Sequence, residues 1–186
     1  MTEINQKRKI VIVTEQRIFH GYLANIRTSV KTIDPSLIDL LSNPIKTMPQ
    51  EKFFSNAQSN LLSLSDTHIH TVRNNNVEKR SQVFIPTSSI LFVFELRDDA
   101  YKLHPNYKIQ ADMEHSNNEY VEIGIGEYTF EGYSNNFFSR YNNDKIHFIA
   151  ITSATISFSD KINPELSNKD FYAVNKYKIN NIAVLK

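Results

Sequence analysis

Apolar residues recur at every second position through much of this chain, the spacing that puts one face of an extended strand into a core. KIVIVT (9–14) and RIFHGYL (17–23) read as a strand pair joined by a turn at the polar residues 14–16. Gly21 lies inside the second strand, where a residue without a side chain lets the backbone bend or approach its neighbour closely, so a bend is predicted there. In NLLSLSDTHIHTV, Leu62 and Leu64 fall on one face and Ile69 on the other. The apolar face therefore changes phase near Ser65 and Asp66, which predicts a break in that strand. QVFIPTSSILFVFEL then reads as two strands, or one bent strand, turning at 86–89, because Pro86 has no N–H to donate to a central ladder.

The same order of events returns later. YTFEGYSNNF (128–137) repeats RIFHGYLANI (17–26), with Phe130, Gly132 and Tyr133 in the places of Phe19, Gly21 and Tyr22. Ile149 and Ile151 are followed by Ile156 and Phe158 in the opposite phase, which places a second break near Thr152 and Ser153. An offset of 111 carries Ile10, Ile12, Phe19 and Gly21 onto Val121, Ile123, Phe130 and Gly132. Leu62, Leu64 and Ile69 match Ile149, Ile151 and Ile156 at 87, and Ile85, Ile90, Val93 and Leu96 match Val174, Ile179, Ile182 and Leu185 at 89. The drop between the first two offsets falls where the first copy holds DPSLIDLLSN. That segment reads as a short helix near 34–43, with Asp34 as N-cap, Pro35 at the first helical position, and Leu37, Ile38, Leu40 and Leu41 on one face. Insertions confined to loops are what a duplicated unit leaves. The expected organisation is a first unit over 1–96, a polar linker over 97–119 and a second unit over 120–186, with only a loop where the first unit has its helix.

A chain of 186 residues, 40% of them apolar and 11% aromatic, can bury a real core. It has no cysteine, which excludes disulfides, thiol nucleophiles and cysteine-bound zinc. No run approaches the roughly 18 apolar residues of a spanning helix, and MTEINQKRK is too polar for a secretory signal. A soluble, cytoplasmic protein without membrane contact is expected. The net charge is only +1, whereas the footprint of a nucleic-acid binder is a clearly basic domain.

About five strands per unit, with a bend at a glycine in the second and a tight turn before the last, is the pattern of a small, strongly bent barrel. SLIDLLSNP, NLLSLSDTHIHTV and VFIPTSSILFV together resemble a group of uncharacterised bacterial Sm-like domains. Those carry a short leucine-rich helix, a hydrophobic-Leu-Thr-Asp strand and an Ala-Val-Asn-Lys-x-x-Ile turn. The last signature stands here as Ala173, Val174, Asn175, Lys176 and Ile179, and in the first unit as Phe84, Ile85, Pro86, Thr87 and Ile90. The resemblance implies an all-β protein of two tandem five-stranded Sm-like barrels, the first with a helical insertion. It implies no catalytic residues and no cofactor.

Two groups of residues carry candidate chemistry. Asn175, Lys176, Tyr177 and Lys178 put amide, ammonium and phenol groups on one turn, and Thr87 and Ser88 occupy the matching turn of the first unit. These are the candidate ligand-binding residues, suited to phosphate or nucleotide contact, against the reading of an ordinary polar turn. His68 and His70 share a strand face, with Asp66 as a third candidate metal ligand; a solvated strand face is the preferred reading. Arg73, Lys79 and Arg80 form the most basic stretch, interrupted by Glu78. Gly124 and Gly126 lack the third glycine and the helix of a dinucleotide loop. The expectation is a non-enzymatic binding or assembly module whose barrel edges pair within or between chains, with itself or a protein partner. RNA or nucleotide binding through the turns is the alternative, which the charge does not favour.

Overall fold

The computed structural model of the protein describes residues 9–23, 61–72, 74–96, 118–144, 146–159, 161–162, 166–167 and 171–185. The helix expected near 34–43 lies outside them, as does the expected linker except residues 118 and 119, which already belong to a strand. The strands are β1 (Lys9–Thr14), β2 (Arg17–Leu23), β3 (Leu61–Thr71), β4 (Asn74–Pro86), β5 (Ile90–Glu95), β6 (Asn118–Ile125), β7 (Tyr128–Asn135), β8 (Phe148–Phe158), β9 (Lys161–Ile162), β10 (Phe171–Asn175) and β11 (Ile179–Val184). Among the described residues the protein is all-β apart from short helical turns. No helix among the described residues is long and apolar enough to cross a membrane.

All the strands join one antiparallel sheet. Its path runs β11-β6-β7-β8-β10-β5-β1-β2-β3-β4, with β9 attached to β8. Each half thus has the same internal order, and the registers repeat as well. Val11 lies opposite Phe94 and Val13 opposite Phe92 in the first half, and Glu122 lies opposite Ala183 and Gly124 opposite Asn181 in the second. The offsets of 111 and 89 carry the one set onto the other. Closing each half into a barrel of its own would bring its two end strands together. Among the described residues no pairing joins β4 to β5 or β10 to β11; instead β5 pairs with β10, so the sheet continues from one half into the other.

The predicted bends have a common local cause. Asp66 and Ser153 take left-handed backbone conformations, with φ of 48° and 51°, and one such residue in a strand flips the side-chain alternation that follows it. On the facing strands the register shifts between His20 and Tyr22 and between Glu131 and Tyr133, at Gly21 and Gly132. A Cβ on Gly132 would stand 2.9 Å from the Thr152 carbonyl oxygen, and one on Gly21 3.1 Å from that of Ser65. Close approach of the strands at the bulge is therefore what requires glycine.

Two apolar clusters lie on opposite sides of the sheet where the halves meet. One gathers Ile10, Ile12, Phe19, Leu64, Ile85 and Val93 of the first half and takes in Phe148, Ala150 and Ala173 of the second. The other gathers Val121, Ile123, Phe130, Ile151, Tyr172 and Val174 of the second half and takes in Val11, Val13, Phe92 and Phe94 of the first. The face that is inside in one half is outside in the other. β1 and β5 are therefore buried on both faces, which accounts for their unbroken apolar runs.

The second half departs from expectation between β7 and β8. Where only a polar loop is expected, Phe137–Tyr141 form a short helix, α1, entered through Asn136 in a left-handed conformation. Phe137 is fully buried and its N–H donates to Glu119 Oε2 at 2.7 Å. Five residues are too few for a helical period to register in the sequence. The segment after β9 also contributes more than a loop. Leu166 and Ser167 are buried, Ser167 Oγ bonds both the N–H and the carbonyl of Ile156, and the Tyr172 hydroxyl donates to the Leu166 carbonyl.

Candidate functional site

The two candidate turns, 88 residues apart in sequence at Thr87 and Asn175, meet in space. Each is a single 3-10 turn, Thr87–Ser89 before β5 and Lys176–Lys178 before β11. The pairing of β10 with β5 brings the end of β10 alongside the start of β5. Asn175 sits at that junction, 3% exposed. Its Nδ2 donates to the carbonyls of Ile90 at 2.9 Å and Thr87 at 3.4 Å, and its Oδ1 accepts from the Tyr177 N–H at 3.1 Å. The side chain therefore caps its own turn, in the manner of Asx turns, and clips the neighbouring half.

Lys176 is also buried, at 5% exposure. Its Nζ donates to the carbonyls of Tyr141 at 3.0 Å and Asn143 at 2.8 Å, and lies 5.0 Å from the Tyr177 ring centroid. These acceptors satisfy an ammonium group that would otherwise be costly to bury, and they tie the end of α1 to the turn. Neither Asn175 nor Lys176 turns its polar group toward solvent. What remains accessible is Tyr177, 62% exposed with its ring edge-on to His147, together with Lys178, Ser88 and part of Thr87. Lys178 Nζ stands 3.9 Å from Glu15 Oε1. An exposed phenol can stack on a flat group, and Lys178, the next residue in the chain, has Glu15 as its counter-ion.

The histidines form a second cluster, with a different membership from that expected. His68 lies opposite His20 on β2, and the rings of His20 and His70 are 4.9 Å apart. Burial, then the neighbouring His70, Lys9 and His68, push the His20 pKa down to about 4. Among the described residues no group of three His, Asp or Glu side chains is placed to hold a metal ion. His20 escapes a reading along one strand, and only the β2–β3 register would have found it. On the basic stretch, Arg80 pairs with Glu78 at 3.0 Å.

Compared with protein families, with curated proteins and with solved structures, the chain matches none.

Proposed function

We propose that the protein is a non-enzymatic association module of two Sm-like units, one over 1–96 and one over 120–186, working through its sheet edges. The observation that carries this reading is the pairing of β5 with β10, by which one unit extends the sheet of the other. Repeated strand order and register support the view of two like units. Edge strands offer rows of backbone donors and acceptors to a partner strand, and fusing two units in one chain makes the first such pairing intramolecular. The terminal edges, β4 and β11, are the surfaces on which further partners act. Native mass spectrometry and light scattering of untreated protein test this. A bound protein partner or multi-chain particle is expected, dispersed by Phe84→Lys on β4 or Ile182→Pro on β11 with the fold retained by circular dichroism. A bare single-chain particle that neither substitution alters sinks the reading.

RNA or nucleotide binding is the second reading, favoured by the exposure of the Tyr177 ring on the same turn as Lys178. It expects salt-sensitive binding of single-stranded RNA, weakened by Tyr177→Ala and Lys178→Ala. No shift at low salt removes it.

A further inference from the structure

Among the described residues three opposed pairs of backbone ladder join β5 to β10, and the joint relies on more than these. Val11, Val13, Phe92 and Phe94 point away from the first half's own core and pack into that of the second. Phe92 meets the rings of Phe130 at 4.8 Å and Tyr128 at 5.1 Å, and Phe94 meets Tyr172 at 5.7 Å. The second half presents Phe148, Ala150 and Ala173 to the first half's core in return, and adds the Asn175 clip on Ile90 and Thr87.

Because the registers repeat, each of these features has a counterpart at the ends of the sheet. On the β6–β11 face, Glu122, Gly124, Asn181 and Ala183 stand where the joint has Val11, Val13, Phe92 and Phe94. The Asn181 side chain lies across Gly124, so close that a Cβ there would fall 1.6 Å from its Oδ1. Seating this face on the core of another copy would bury a carboxylate and an amide in apolar surroundings, which is costly without partners. It would also leave voids in place of a valine and a phenylalanine. At the β4 end, Phe84 replaces Ala173 on the outer face, and Pro86 replaces Asn175, so the clip is absent as well. Both sides of the joint are altered, independently, at the two ends of one chain.

We infer that the joint is used once. The apolar face of Val11, Val13, Phe92 and Phe94 has the second half of its own chain as its partner, and the β6–β11 end does not take the β4 edge of a second copy in the same geometry. The chain is a self-terminated pair, and inter-chain contact at β4 or β11 runs through some other arrangement. This closure concerns the edges invoked in the association reading and rests on it, but the two fail differently.

Sedimentation of the full-length protein tests it. Two variants each restore one side of the joint: Glu122→Val with Asn181→Phe, and Phe84→Ala with Pro86→Asn. Each alone is expected to sediment as the native protein does, and a 1:1 mixture to gain association that roughly doubles the mass of the sedimenting species, as a heterologous contact with one open end on each partner requires. A mixture of folded variants that stays as dispersed as its components overturns the inference. Should either variant fail to fold by circular dichroism, the native chain decides through Glu122→Lys. Unchanged sedimentation supports closure, and dispersal of a head-to-tail assembly overturns it. A native chain that is always single and without a bound partner defeats the association reading and leaves closure standing, and a native head-to-tail polymer does the reverse.

Discussion

β5 and β11 hold equivalent places in their halves, with the same register to the first strand of the unit, yet they share little beyond that. ILFVFE has five of its six residues buried, and INNIAV has none. Position in the fold sets which residues face each other, as Phe92 with Val13 and Asn181 with Gly124. What lies beyond the sheet sets whether those residues are apolar. The comparison teaches that one face of β5 belongs to the core of the other half, and that β11 has been left with a surface.

The strongest way to break the comparison is to remove the side chain that distinguishes the two strands. Phe92→Ala should cost about 3–5 kcal/mol, the usual range for deleting a buried aromatic, whereas Asn181→Ala should change little. Denaturant unfolding followed in each half separately sharpens this: Phe92→Ala lowers the midpoint of the second half along with the first, because the ring sits against Phe130 and Tyr128. Next in size is the clip. Asn175→Ala leaves the Ile90 carbonyl without that donor, a loss of about 1–3 kcal/mol, whereas Pro86→Ala at the matching place removes no such bond.

A smaller effect of opposite sign is expected at Thr67. Its Oγ1 is buried without a hydrogen-bond partner among the described residues, and the residue aligned with it in the second half is Ala154. Thr67→Val should raise stability by about 1 kcal/mol, since an unsatisfied buried hydroxyl carries a desolvation penalty that an isosteric methyl does not. The most specific effect is on pH dependence. His20, whose counterpart is Glu131, has a folded pKa of about 4, against 6.5 for an unperturbed imidazole. Between these values the unfolded chain binds more protons than the folded one, so stability falls as pH drops from about 6.5 to 4. His20→Gln should flatten that part of the profile of unfolding midpoint against pH, and an unchanged slope would place its cause elsewhere.

Much of this build was legible in the residues. The phase changes at Asp66 and Ser153 could be read because a single left-handed residue moves every later side chain to the other face. The offsets could be read because Ile10, Ile12 and Phe19 fill the same positions as Val121, Ile123 and Phe130. The joint was not legible. IVIV reads the same whether its second face meets a helix, another sheet or a sister core, and nothing local to Phe92 names Tyr128 as its neighbour. The candidate turn is legible in the sequence, but the bonds its residues make are not, for a similar reason. Asn175 and Lys176 look like ligand-facing groups until their acceptors, the carbonyls of Ile90, Tyr141 and Asn143, arrive from distant parts of the chain. Sequence distance hid the bonds that consume them.

The shortness of the seam between the halves sets its response to temperature. Among the described residues three opposed pairs join β10 to β5, against ten between β3 and β4, so the seam there leans on two-sided apolar burial more than on its ladder. Apolar burial weakens on cooling, and backbone hydrogen bonding has no such dependence. Chilling should therefore loosen this line of the sheet before the hairpins on either side of it, and excluded salts such as sulfate should tighten it first.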